Sequence, residues 1–572
     1  MSTKLPKVPA VIVGMGWAGG IIASELTKAG IKVVGIERGK ERTTNDYLMG
    51  HDELRFQHRT ELMQDLSKET ITHRNDPNMR ALPMRSYGTF IVGDGVGGAG
   101  SHWNGQTYRF LPYDFEIKSL TEEKYGTNKL GSEYTLQDWG ITYDEIEPYY
   151  DTFEKMAGIS GETVEMYGHR SNPYPTGPMV KTPTFELFEE ATKKLGYHPY
   201  MLPSANLSEN YTNPDGISRS ACQYCAFCEN FGCEYGAKAD PVVTVIPVAK
   251  ETGNLDLRTH SNVTRILNDG TKATGVVYVN TITGEEFEQP ADVVIVTSYV
   301  FNNVRLLLNS NLGTPYNPET GEGSIGKNYC YQVSAGATTL FYEDKAFNNY
   351  AGAGALGIEI PDFAGDNFDH SDVNFIHGSG IRMTQYGNRP IAINQVPSGT
   401  PSWGAEFKKQ SIKYANSTLQ VKSQGASMPH KDNYLDLDPE YKDAYGMPLL
   451  RMTYDYTEQD KELVKYMSKV TRKIAEKIGA DHYETTEEQA TFNVNVDTNT
   501  HNTGGVIMGA DSKTSAVNSY LQMWEAENVF VIGASAFPHN SSFNPTGTIG
   551  ALSYRASEGI IKYLKDGGGS LV

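Results

Sequence analysis

Short apolar runs and helix-spaced apolar positions alternate along the chain, a pattern that predicts a mixed α/β protein. Val8–Val13 is a compact strand-type run, residues 21–29 carry helical spacing, and residues 32–36 form a second strand-type run. Residues 291–296 and 528–533 read as further buried strands. Between residues 330 and 450, short β-branched and aromatic runs are broken by Gly, Asn, Asp and Pro turns, as in an antiparallel sheet. Residues 457–478 place Leu463, Val464, Met467, Val470, Ile474 and Ile478 on one face of a long amphipathic helix. Residues 111–200 are rich in Tyr, Glu, Gly and Pro and predict a helix over Tyr143–Ala157 beside irregular chain.

Composition narrows the class. With 572 residues there is room for two large domains or about four small ones. A mean hydropathy of -0.45 and 21 % charged residues fit neither a disordered chain nor a polytopic membrane protein. A net charge of -19 disfavours nucleic acid and anionic lipid as direct partners. Lys4 and Lys7 ahead of an apolar run have the outline of a secretion signal. However, Gly14, Gly16, Gly19 and Gly20 interrupt the run, no A-x-A site follows, and Glu25 and Lys28 continue an amphipathic helix. No uninterrupted apolar stretch of about 20 residues is present. Residues 567–572 read GGGSLV, the composition of a flexible linker with the start of a cleavage tag.

Three motifs carry chemistry. Between the first strand and helix, Gly14, Gly16 and Gly19 match G-x-G-x-x-G, and Glu37 closes the second strand. Glycines let backbone approach a pyrophosphate, a helix start supplies amides, and the acid takes ribose hydroxyls, so these four residues predict a dinucleotide site. Residues 93–105, GDGVGGAGSHWNG, are too glycine-rich for a strand or helix interior and suit backbone lying close to a flat ligand. In the third motif, Cys222, Cys225, Cys228 and Cys233 form two C-x₂-C steps and a C-x₄-C step. Zinc sites usually pair separated knuckles, whereas consecutive wrapping is the ferredoxin style. An iron–sulfur cluster is therefore favoured, with structural zinc and unligated thiols as alternatives.

Ser101-His102-Trp103, Thr500-His501-Asn502-Thr503-Gly504-Gly505, and Asn544-Pro545 followed by Thr546-Gly547-Thr548-Ile549 together resemble the glucose-methanol-choline (GMC) oxidoreductase family. The resemblance covers nearly the whole chain. It implies the GMC fold, α/β or α+β overall: a Rossmann-like FAD-binding domain with a substrate domain built on an antiparallel sheet. The FAD domain would be assembled from residues 1–110, 205–320 and 490–566, including the cysteine segment 222–233, and the substrate domain from 111–204 and 321–489. His501 takes the place of the general base and Asn544 that of the donor to the substrate oxygen. Gly98, Ser101, His102, Trp103, Asn104, Gly533, Pro545 and Thr546 join Gly14, Gly16, Gly19 and Glu37 around the flavin. Val263, in a hairpin with residues 275–278, would meet the adenine through its backbone. His102 matches the position where some members link a ring nitrogen to the flavin methyl group. His539, on the Asn544 loop, is a candidate for substrate contact. Two departures stand out: residues 297–310 lack the family's leading glycine and proline while keeping Leu306-Leu307-Leu308 and Ser310, and Ala534 replaces an acid.

The cysteine segment is similar to that of a bacterial subgroup, the dehydrogenase large subunits acting on gluconate, fructose, sorbitol and glucose, which carry a three-iron four-sulfur cluster there. Three thiolates suffice for such a cluster, and spacing suggests Cys225 as the spare; a four-iron cluster on all four is the alternative. The resemblance implies an FAD-dependent dehydrogenase oxidising a secondary alcohol of a sugar, sugar acid or polyol, of gluconate 2-dehydrogenase type first and fructose dehydrogenase type next. Electrons would leave through the cluster to a multi-haem cytochrome c subunit, and a small chaperone-like subunit would carry the export signal. Membrane association would run only through these partners, at the periplasmic face; a cytoplasmic location is the alternative. Two other readings remain: an oxygen-using sugar or alcohol oxidase of the same fold, and a catalytically silent electron-transfer or assembly subunit.

Overall fold

The computed structural model describes residues 2–48, 51–85, 89–387, 389, 391, 394–486, 491–495 and 500–572. Its first sheet is built around β1 (Val8–Val13), which feeds helix α1 (Trp17–Lys28) and then β2 (Val33–Ile36). β3 (Leu255–Arg258), β4 (Ser261–Asn268), β5 (Ala273–Asn280) and β6 (Glu286–Val296) complete the spatial order β4-β5-β6-β1-β2-β3. β6 has two roles. Its first half pairs antiparallel with β5, and its second half lies parallel to β1 and to the strand Val529–Val531. The parallel strands are apolar throughout because both faces are covered: Ala10, Val11, Ile12, Val293, Val294 and Ile295 are fully buried. α1 starts at Trp17, four residues before the expected point, because Gly16 ends the turn in an extended conformation and the first helical turn packs against β1.

The second sheet is antiparallel and contains β7 (Val333–Phe341), β8 (Gly357–Ile360), β9 (Ser379–Thr384) and β10 (Thr418–Gly425), in the order β7-β10-β9-β8. Short strands from outside the expected stretch, His482–Thr485 and Tyr200–Met201, close its two edges. Strand alternation gives it two unlike faces. Ile358, Ile360, Ile381, Met383, Leu419 and Val421 pack on helices α2 (Pro183–Lys194) and α3 (Glu458–Ile478). Glu359, Arg382 and Lys422 stand in one row on the other face, with Gln424 next to them along β10. α3 begins where the sequence predicts because Thr457 caps it: the Asp460 N–H donates to the Thr457 hydroxyl and the Asp460 carboxylate accepts from Thr457 N.

Two further features differ from the sequence reading. Within 330–450, the strands Tyr434–Lys442 and Pro448–Thr453 belong to a separate four-stranded sheet with Ile71–Arg74 and Leu82–Pro83, and a helix, Gly404–Tyr414, interrupts the β pattern. Residues 567–572, expected as a free linker, turn back on the body: Gln522 Nε2 donates to Gly569 O at 3.0 Å and its Oε1 accepts from Leu571 N at 2.9 Å. Helix α4 (Thr546–Asp566) packs against the helix Tyr143–Ala157, with Phe153 filling the space over Gly550.

Candidate active site

A cavity of about 240 Å³ opens at the carboxyl ends of β1, β2 and β6 and runs to the loop before α4. Gly14, Gly16 and Glu37 line one end, Gly98, His102, Trp103 and Asn104 a side, and His501, Gly533, Asn544, Pro545 and Thr546 the other end. Gly19 does not face it. A Cβ there would sit 2.0 Å from Gly14 O, so this glycine lets α1 press against the strand end. Ser101 also points away: its hydroxyl turns back to Val96 O at 3.5 Å.

The nucleotide end is held by one acid. Glu37 accepts from Met15 N through Oε2 at 3.0 Å, and through Oε1 from Gly39 N at 3.0 Å and Gly95 N at 3.3 Å. These bonds tie both glycine loops to the strand end. Val263 and its neighbours Ser261 and Asn262 line the same end. The starts of α1 and α4 also open on the cavity, and helix N-termini present unpaired amides and a positive dipole end to a ligand.

His102 is buried, and neither ring nitrogen has a hydrogen-bond partner. Desolvation, aided by the nearby Lys238 charge, lowers its pKa to about 3, so the ring is neutral. A buried imidazole that leaves both nitrogens unspent on a cavity wall is a residue built to meet a ligand. The glycine backbone, the Glu37 carboxylate, two helix N-termini and this orphaned imidazole therefore fit an FAD along the cavity.

At the far end, the Asn544 Nδ2 amide lies 2.9 Å from His501 Nε2, and the Gln424 Nε2 amide lies 2.7 Å from His501 Nδ1. Desolvation and the Arg382 charge lower the His501 pKa to about 3, so the ring is neutral. A neutral imidazole has one N–H and one lone pair and cannot accept from two amides. One amide must present its oxygen instead, and both amide oxygens, Gln424 Oε1 and Asn544 Oδ1, are buried without partners. The loop bearing Asn544 is anchored from several sides. Asn540 Nδ2 donates to His501 O at 2.6 Å, and Gln332 Nε2 donates to Ser541 O at 2.8 Å. His539, fully buried and off the cavity, bonds Asp114 at 3.0 Å, as His377 does at 2.8 Å. Their Nδ1 atoms accept from Trp139 Nε1 and Gly365 N, so both Nε2 atoms carry hydrogens and donate to Asp114. No imidazole lone pair remains for a metal, and this cluster is a structural knot.

The four sequence-predicted cysteines lie behind the His102 loop. No three of their sulfurs fall within 4.8 Å of one another, wider than the ~3.8 Å edge that ~2.3 Å Zn–S bonds impose on a tetrahedron. N–H donors point at three sulfurs: Tyr224 N to Cys222 at 3.4 Å, Asn206 Nδ2 to Cys228 at 3.6 Å, and Lys238 N to Cys233 at 3.5 Å. Tyr224, Ala226 and Asn230 have positive φ, which winds the loop tightly; Tyr224 N faces a sulfur, while Ala226 N and Asn230 N donate to Gly352 O and His102 O. Burial and mutual repulsion push the Cys222 thiol up to about 12 and the Cys225 thiol up to about 11, so a cationic centre is needed to hold them as thiolates. This donor set fits an iron–sulfur cluster better than a single zinc ion.

Gln424, Gln106 and Arg382 are site residues that motif reading missed. Gln106 Oε1 accepts from Arg382 Nη1 at 2.8 Å, and its Nε2 donates to Tyr386 Oη at 2.8 Å. The polar alternation Gln420, Lys422, Gln424 along β10 is the signal that could have found Gln424.

Comparison with known proteins agrees with this geometry. Residues 137–334 and 429–553 match two family models, each described as GMC oxidoreductase. The chain is 40 % identical to the gluconate 2-dehydrogenase flavoprotein of Pantoea cypripedii, covering 99 % of this chain and 96 % of that protein. It is 30 % identical to 2-methyl-1,2-propanediol dehydrogenase of Mycolicibacterium austroafricanum, covering 99 % and 97 %. Among solved structures it resembles pyridoxine 4-oxidase from Mesorbium loti, with a TM-score of 0.61 at 15 % identity over 97 % of this chain and 99 % of that one, a likeness of fold.

Proposed function

The chain belongs to the GMC oxidoreductase family, and from that premise we propose an FAD-dependent dehydrogenase that oxidises a secondary alcohol of a sugar acid, sugar or polyol, with gluconate at carbon 2 preferred over fructose at carbon 5. The observation that carries the reading is the pairing of His501 and Asn544 at the end of a cavity whose other end is built for a dinucleotide.

Bound FAD supplies the acceptor for the hydride that leaves the substrate carbon. The chain does the rest. His501 Nε2 takes the hydroxyl proton, and Asn544 Nδ2 donates to the same oxygen, fixing the carbinol between them. Because burial keeps the imidazole neutral, its lone pair is available throughout the neutral pH range. Arg382, whose charge reaches His501, disfavours a resting imidazolium. His102, with two unspent nitrogens, is the residue for a covalent link to the flavin. Cys222, Cys228 and Cys233 would hold a three-iron four-sulfur cluster, with Cys225 spare, and such a cluster would supply one-electron chemistry. The expected recipient is a cytochrome c subunit, and the expected setting is a complex with a small export-competent subunit at the periplasmic membrane face.

The test is an anaerobic visible and electron-spin-resonance spectrum of the purified protein, followed by titration with gluconate, fructose, sorbitol and glucose. A three-iron signal and flavin bleaching by gluconate are expected. Absence of iron with rapid peroxide formation in air would replace this reading with an oxygen-using oxidase, and absence of bleaching by every substrate would leave a silent subunit.

A further inference from the structure

One buried cation stitches the cysteine loop to the His102 loop. Lys238 is fully buried, and its Nζ donates to Trp103 O at 2.7 Å, Cys228 O at 2.8 Å and Phe231 O at 2.9 Å. Three N–H donors meet three carbonyls, the full capacity of an ammonium. Two acceptors belong to the cysteine loop, and the third belongs to the cavity wall beside His102. Asn230 N closes the same seam by donating to His102 O at 2.7 Å.

The charge lacks an ion-pair partner among the described residues. The neighbouring acid, Asp240, accepts through Oδ1 alone from Val242 N at 2.6 Å and Val243 N at 3.2 Å, and attracts the ammonium without forming an ion pair with it. A buried ammonium held only by carbonyls is costly unless an anionic group lies near. The cysteine sulfurs are placed to be that group: the backbone N of Lys238 donates to Cys233 Sγ, and Cys228 contributes its carbonyl to Nζ. Thiolate ligation gives an iron–sulfur cluster net negative charge, and reduction adds one more. A fixed cation at this seam therefore stabilises the reduced cluster more than the oxidised one.

We propose that Lys238 is the positioning residue for electron exit, setting the cysteine-held cluster against the flavin loop and favouring its reduced state. The inference rests on the iron–sulfur reading given above. The step concerned is a one-electron transfer: substrate-reduced flavin loses one electron, the cluster gains it, no bond changes, and a dye or haem acceptor outside removes it before the next.

The experiment compares the whole wild-type protein with K238M and K238R, anaerobically, after iron, sulfide and flavin analysis. Wild type without iron ends the iron–sulfur reading, and the proposal with it. With iron present, K238M should still bleach its flavin with substrate, while its ratio of reduced to oxidised cluster at a fixed potential falls at least tenfold. K238R keeps the charge but does not fit the three-carbonyl cradle, so its ratio should stay within about threefold while flavin-to-cluster transfer slows at least tenfold. Folded K238M that has lost its cluster, beside K238R that keeps it, also supports the proposal. A K238M cluster with the wild-type ratio overturns it, and should K238M not fold, wild-type transfer rates in K238R do the same.

Discussion

Gln424 Nε2 and His501 Nδ1 lie 2.7 Å apart, on the side of the imidazole away from Asn544. If Gln424 turns its amide, Oε1 accepts the Nδ1 hydrogen and leaves the Nε2 lone pair facing substrate, the tautomer a general base needs. Replacing Gln424 by glutamate puts a carboxylate against Nδ1, which favours the protonated ring and raises the His501 pKa from its low value. The acid limb of kcat/KM should therefore move to higher pH in Q424E. Q424L, which leaves Nδ1 without a partner, should lower kcat about tenfold to a hundredfold. The pH profiles of anaerobic flavin bleaching check both, and an unmoved limb in Q424E would remove the tautomer role.

Removing either member of the pair should separate chemistry from cofactor binding. H501N is expected to lower the bleaching rate by about 10²–10⁴-fold, the usual worth of general base catalysis. N544A loses one hydrogen bond to a charge-bearing oxygen, about 1.5–3 kcal/mol, or about tenfold to 150-fold in rate. Stopped-flow traces with flavin content unchanged would support these roles, and loss of flavin in proportion to rate would count against them.

The orphaned nitrogens of His102 predict a covalent flavin. After acid precipitation, yellow colour should stay with wild-type protein and move to the supernatant for H102N. Free flavin from wild type would reduce His102 to a packing contact.

Serine substitution sorts the thiols. C222S, C228S and C233S should each lose iron, whereas C225S, the spare on the spacing of the run, should keep it. Iron loss in all four would point to a four-iron cluster.

Local signals made much of this legible. The helix Tyr143–Ala157 and the Thr457 cap depend on residues within a few positions, and the chain states them directly. His501 and Asn544, 43 positions apart, were brought together by motif resemblance rather than by periodicity. Gln424, 77 positions from His501, was not found, because alternation along β10 marks a polar face without saying what it faces. Lys238 was missed for a related reason: a lysine in a polar loop reads as solvated, and only the fold supplies three inward carbonyls. Ser101 was misplaced because adjacency to His102 in sequence does not put two side chains of a tight turn on one side.

Away from the cavity, His370 gives a stability prediction with a definite sign. It is fully buried, its Nε2 lies 2.9 Å from Gly365 O, and its Nδ1 has no partner. Desolvation lowers its pKa to about 4 from the ordinary 6.5. Between those two values the unfolded chain binds a proton that the folded chain refuses, so stability rises with pH across this window. The contribution is complete above pH ~6.5 and is lost as pH falls toward ~4, about 1–2 kcal/mol of it by pH ~5. Replacing His370 by Gln, which keeps one polar atom near Gly365 O but cannot titrate, should cost some stability at neutral pH and flatten the fall between pH 7 and 5. Denaturant midpoints of wild type and H370Q at the two pH values measure this difference directly, and parallel falls in both proteins would show that His370 is not protonated on unfolding in this range.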